Sequence, residues 1–217
     1  RGYAVSYAGD TEEMQKSGQF LVKAFGMALG GILVILVIQF NSAVLPAVIL
    51  FSVLLSLIGV LWGLLITGMR FGVIMTGLGV ISLAGIVVNN SIVLIDAINQ
   101  RKHAGMSTDD ALVDAGCTRL RPVLLTAATT ILGLIPMAVG YSVDIHRWPP
   151  RFITGAESSA WWAPMAVAVI FGLALATVLT LVFVPVMYSL VDSATQAVRA
   201  RLAPADDPGS LRETRDD

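Results

Sequence analysis

Five long stretches almost free of charged side chains decide what this chain can fold into. They cover about residues 20–40, 43–67, 71–98, 123–143 and 161–190. A helix rises 1.5 Å per residue, so about 20 residues cross about 30 Å of hydrocarbon. Away from water each backbone N–H and C=O must find its partner inside its own segment, which selects helix. Charged residues make up 13% of the 217, about half the share of an ordinary soluble domain. The predicted fold is therefore an all-α membrane protein, a five-helix transmembrane bundle with lipid around it.

The boundaries carry their own signals. Gly9 to Glu13 reads as a turn into a helix, capped by Asp10 or Thr11, that runs on into the first span. Lys23 sits close enough to the span's start to reach the interface. Ser107-Thr108-Asp109-Asp110 resembles a capping box, and Ala111, Leu112 and Ala115 share a face. That pattern predicts a short surface helix over about 107–117. From 193 to 217 the composition turns to Ala, Arg, Asp and Pro and predicts a disordered tail. Five spans put the termini on opposite sides. Eight of the fourteen lysines and arginines fall on one side if the C-terminus is cytoplasmic, which sets that orientation. The chain opens on Arg1 with polar residues and no secretory signal, which reads as part of something longer.

Little points to enzymatic chemistry. The lone Cys117 makes no internal disulfide or thiolate cage, and His103 and His146 lie in separate loops. There is no nucleotide loop, nucleophile triad or cofactor motif, and a net charge of −1 gives no sign of nucleic-acid binding. The informative residues are polar ones inside the apolar runs, where an unpaired group is expensive. Ser82, Asn89 and Asp96 are spaced by seven and share a helix face with Gly85, and Asn90 adjoins Asn89. Arg119, Thr126, Thr130 and Gly133 form a similar row on the next span. Such rows either bond helices together or line an ion path, and spacing alone leaves both open. Glycines 26, 30, 31, 72, 77, 79 and 85 suggest close helix contact.

Several of these segments together form a recognisable pattern. The run from Gly85 through Val88-Asn89-Asn90-Ser91 to Asp96 is followed by Ala115-Gly-Cys-Thr-Arg-Leu-Arg-Pro-Val-Leu-Leu-Thr126 and Thr130-Ile-Leu-Gly-Leu-Ile-Pro136. With Trp162-Ala-Pro-Met and Leu181-Val-Phe-Val-Pro-Val, it resembles the resistance–nodulation–division (RND) transporters, most of all their hydrophobe/amphiphile efflux branch. The likeness spans about residues 1–192. It implies the last five of twelve membrane helices of a proton-driven antiporter, with 1–17 ending a periplasmic domain and 18–192 forming membrane domain. It also implies the bacterial inner membrane, a homotrimer, an N-terminal half as partner, a periplasmic adaptor and an outer-membrane channel. The exported compounds would be hydrophobic or amphiphilic, as in multidrug resistance; a non-drug member of the superfamily and a structural scaffold are the alternatives. The family's relay pairs acidic residues of the first repeat with a lysine, assisted by an arginine and a threonine. Arg119 and Thr126 match the assisting pair, whereas the lysine position falls on Asn89, which carries no charge. The implied coupling set is Asn89, Asn90, Asp96, Arg119, Thr126 and Thr130.

Overall fold

The computed structural model describes residues 10–144, 151–154 and 157–202. Its elements run α1 (Asp10–Phe40), α2 (Val44–Thr67), α3 (Val73–His103), α4 (Thr108–Val139), β1 (Tyr141–Asp144), β2 (Arg151–Thr154) and α5 (Glu157–Leu202). All five helices are long and apolar enough to cross a membrane. The all-α membrane class expected from the sequence holds, with one antiparallel two-stranded ribbon added, in which Tyr141 faces Thr154 and Asp144 faces Arg151.

Local chemistry sets the helix ends. Gly68 takes a left-handed φ of 66° after α2, and Gly68 and Met69 donate back to the carbonyls of Leu65 and Leu64. Gly140 ends α4 in the same way at φ 80°. Ser107 caps α4: its Oγ accepts from the Asp110 N–H at 3.2 Å and donates to Asp110 Oδ2 at 2.7 Å. Buried hydroxyls of Ser52, Ser56, Ser91 and Thr177 donate to carbonyls three or four residues earlier, so none demands a partner from another helix.

The hub is α5, which packs on α2, α3 and α4, while α1 touches only α2 and α3 among the helices with extensive contacts. Half of the most apolar stretch of α3 and of α5 is buried, against 6% for α1. Leu83, Leu94, Ile95 and Ile98 of α3, Val53 and Val60 of α2 and Leu173 and Val184 of α5 form the core. The backbones meet closely where glycine allows it. A Cβ added to Gly59 would stand 2.8 Å from the Phe171 carbonyl oxygen and 3.1 Å from Gly172 Cα. Gly63 lies as close to the Phe171 side chain, and Gly79 of α3 abuts the Met165 carbonyl.

Several expectations need correcting. The glycines expected to mediate contact in the first span do not: Gly26, Gly30 and Gly31, and also Gly72 and Gly85, face open space among the described residues. The short helix expected over 107–117 is the first third of α4. Pro122 forfeits one N–H, but the good helix formers before it, Leu120 and Arg121, keep the turn going. The fourth span stops at Val139 and gives way to β1 at Tyr141 instead of reaching 143. Residues 193–202, assigned to the disordered tail, continue α5, since Ala194, Gln196, Ala197 and Ala200 favour helix and the first proline comes at 204. Residues 203–217 and the strand suspected over 3–7 lie outside the described residues.

The glycine seam makes a definite prediction. Gly59→Ala must push α2 and α5 apart and lowers stability by about 1–3 kcal/mol, whereas Gly26→Ala in open space changes it by less than about 1 kcal/mol. Thermal unfolding of the purified protein in detergent checks the difference.

Candidate functional site

The two polar rows occupy the faces of α3 and α4 that the other described helices leave uncovered. On α3, Ser82, Gly85 and Asn89 are exposed, while Val87, Val88, Ser91 and Leu94 on the opposite side are buried. Asn90 is turned inward and only 8% exposed. On α4, Thr126 and Gly133 are exposed, Arg119 and Thr130 half-buried, and Val123 and Ala127 face the core.

The rows do not bond to one another among the described residues. Thr126 Oγ1 donates to the Val123 carbonyl at 3.0 Å and Thr130 Oγ1 to the Thr126 carbonyl at 2.8 Å. A hydroxyl in a helix reaches its own i−3 or i−4 carbonyl more readily than a neighbouring helix, which leaves the expected cross-helix bonds unformed. Arg119 Nε is buried with no hydrogen-bond partner among the described residues. A guanidinium nitrogen shut away from water without an acceptor is left at a cost of about 1–3 kcal/mol, as for any unsatisfied buried donor. Asp96 stands apart from this region, one turn from the polar end of α3, where its Oδ2 accepts from Gln100 at 2.8 Å. Of the six residues singled out, the structure therefore sets Asn89, Arg119, Thr126 and Thr130 on or beside open faces, Asn90 inside, and Asp96 at the end.

The best-connected polar group escaped the sequence reading. At the turn between α3 and α4, Lys102 Nζ donates to Asp192 Oδ1 at 2.6 Å and Thr108 Oγ1 to Asp192 Oδ2 at 2.7 Å. Tyr188 of α5 donates to Asn99 Oδ1 at 2.7 Å. Arg101 pairs with Asp114 and donates to Thr118 Oγ1 at 2.9 Å. The pairs that reach α5 join residues 84 to 90 positions apart in sequence, so no local spacing announces them. An apolar cleft of about 380 Å³ between α1, α2 and α3, lined by Leu21, Phe25, Val60, Leu61, Phe71 and Val80, is remote in character and has no polar lining residue. Among the described residues no group of three His, Cys, Asp or Glu side chains is placed to hold a metal ion.

Comparison with known proteins adds a family. A profile of the AcrB/AcrD/AcrF family matches residues 1–192. The swarming motility protein SwrC of Bacillus subtilis is 36% identical over 187 residues, covering 86% of this chain and 16% of that protein. The nickel and cobalt resistance protein CnrA of Cupriavidus metallidurans is 34% identical over 190 residues, 88% of this chain and 16% of CnrA. A crystal structure of a heavy metal efflux pump superposes with a TM-score of 0.70 at 32% identity, covering 87% of this chain and 18% of the pump. The chain thus spans about a sixth of the length of these relatives.

Asn90 offers a check on how complete the site is. With no hydrogen bond to its amide among the described residues, Asn90→Leu shifts the unfolding free energy of the assembled protein by less than about 1 kcal/mol. A fall of about 2 kcal/mol or more, read by thermal unfolding, would reveal an amide partner supplied from elsewhere.

Proposed function

The chain belongs to the AcrB/AcrD/AcrF family of RND-type efflux transporters, and on that premise we propose that it is the C-terminal membrane portion of a proton-driven exporter. It works in the bacterial inner membrane with its C-terminus in the cytoplasm, and it performs no covalent chemistry. The remainder of the transporter, a trimeric arrangement, a periplasmic adaptor and an outer-membrane channel complete the machine.

One observation supports the coupling role: the buried Nε of Arg119, without a hydrogen-bond partner among the described residues, on a helix whose polar row the other described helices leave open. A group in that state wants an acceptor, and the acidic relay residues that the RND resemblance places in the first repeat are acceptors of the right charge. Asn89, Thr126 and Thr130 border the same path and offer amide and hydroxyl groups to a proton-carrying chain of side chains and water, while Asn90 stands behind it, turned inward. Asp96, the sixth residue of the implied set, stands apart from the path and is bonded to Gln100 on its own helix. Because Asn89 replaces the lysine of the resemblance, Arg119 is the permanent positive charge of this half and compensates the carboxylates when they ionise. Protonation changes that compensation and so biases a rigid-body shift, passed on through α1, which runs unbroken from polar Asp10 to apolar Phe40.

Cargo is chosen outside these helices. Heavy-metal cations are better supported as cargo than the hydrophobic compounds expected from the sequence, since one relative is named for nickel and cobalt resistance and the solved neighbour for heavy-metal efflux. Amphiphilic compounds remain the second reading, carried by the motif likeness alone.

Export assays in cells with the transporter gene deleted or restored decide between them. Restoring the gene raises nickel(II) tolerance, and a protonophore abolishes the gain. Asn89→Ala and Arg119→Ala each slow export by about tenfold or more, the loss expected when an interaction made during the coupling step is removed. Full tolerance with both residues replaced overturns the coupling role, and gain of tolerance to ethidium but not nickel(II) overturns the cargo.

A further inference from the structure

The helix that carries Arg119 is poorly held by apolar packing. α4 buries only Ala111, Ala115, Val123 and Ala127, three of which have a single methyl to offer. Of its most apolar stretch 11% is buried, against 50% for its neighbours α3 and α5. Lipid tails are as apolar as the side chains, so burial against another helix gives little of the drive it gives in water, and directional contacts weigh more.

Those contacts converge at one end. The two oxygens of Asp192 hold opposite sides of the α3–α4 turn: Lys102 from the last turn of α3 and Thr108, the first residue of α4. The Lys102 and Asp192 side chains are 27% and 20% exposed, shielded enough for an ion pair with hydrogen-bond geometry to exceed a surface pair. One turn earlier on α5, Tyr188 is bonded to Asn99, and Lys102 Nζ lies 5.5 Å from the centre of its ring. Arg101 adds a tie from α3 to Asp114 and Thr118 of α4, and also holds the Ala97 carbonyl at 3.1 Å. Thr118 directly precedes Arg119. The turn itself is tightened by Gly105 at φ 92°, with Gly105 and Met106 donating to the carbonyls of Lys102 and Arg101.

We propose that Asp192 is a positioning residue for the coupling path: by clamping the α3–α4 turn onto α5 it sets the axial position and rotation of α4, and with them where Arg119, Thr126 and Thr130 stand relative to Asn89. This rests on the coupling role assigned to Arg119 above. Losing the clamp leaves five inserted helices but frees α4 to slide and turn on its smooth alanine face.

The test uses the full-length transporter. Spin labels on Leu78 of α3 and Leu132 of α4, exposed positions outside the path, report the relation of the two helices at the end far from the clamp. Wild type and Asp192→Glu give one narrow distance distribution, and Asp192→Ala broadens it. The exchange Lys102→Asp with Asp192→Lys narrows it again, and Thr108→Val, which removes one arm only, gives an intermediate width. In nickel(II) or ethidium export, normalised to transporter present in the membrane, Asp192→Ala lowers the maximal rate about fivefold while the half-saturating concentration stays within about twofold. The charge exchange restores at least half of that rate. If Asp192→Ala changes only the amount of protein, with unchanged distances and rate per molecule, the clamp is structural and the proposal falls. If Arg119→Ala transports normally, the coupling role fails and takes the proposal with it. If Arg119→Ala is inactive and Asp192→Ala is normal, the clamp alone is wrong.

Discussion

The bundle depends on backbone meeting backbone along α5. Where Gly59 of α2 faces Phe171 and Gly172, the two helices are too close for a methyl group between them. Between spans surrounded by lipid, van der Waals contact replaces the expulsion of water as the cohesive force, and its strength falls off within an ångström of the optimum. The small residues therefore do what large apolar ones do in a soluble core. Leu83 and Val60 then fill the space beside Gly172, so the seam is closed by side chains from α2 and α3 together. Every helix that carries polar groups of interest, α3 and α4 above all, is placed by its contact with that same central helix.

This arrangement divides the chain into a cohesive part and an open part. The inward faces of α2, α3 and α5 are satisfied: apolar side chains interlock and hydroxyls bond to their own backbone. The outward faces of α3 and α4 are left open by the other described helices, and they hold Asn89, Thr126 and the half-buried Arg119, whose Nε finds no partner among the described residues. Among the described residues the two polar rows make no hydrogen bond to one another, and each hydroxyl of the α4 row turns to its own backbone.

How far the sequence revealed this depended on the range of the interaction. Spans are legible because hydropathy is summed over twenty neighbours, and the start of α4 is legible because Ser107 acts on a residue three positions away. The merging of the surface helix into α4 was hidden because Pro122 is a strong local stop signal that a single long helix can absorb. Glycine positions were legible but not their use: Gly26 and Gly59 look alike in sequence, and only the path of α5 tells them apart. The Asp192 cluster was the least legible, since Lys102 and Asp192 are ordinary interfacial charges until the fold brings residues 90 positions apart within 2.6 Å. The residues of the candidate site are singled out by type and spacing, while their orientation comes from the helix packing.

The central place of α5 also has a bearing on biogenesis. It is the last of the five to leave the ribosome, yet it supplies the most extensive contacts of α2 and α4. The first four helices must therefore wait in the bilayer as a loose group, linked by thin interfaces, until the final one arrives and draws them together. Chaperones and membrane proteases act on such half-gathered intermediates. A nonsense mutation in the first turns of α5 would thus leave insertion intact and remove the central contacts, so that the product would be cleared as misassembled despite four correctly threaded spans.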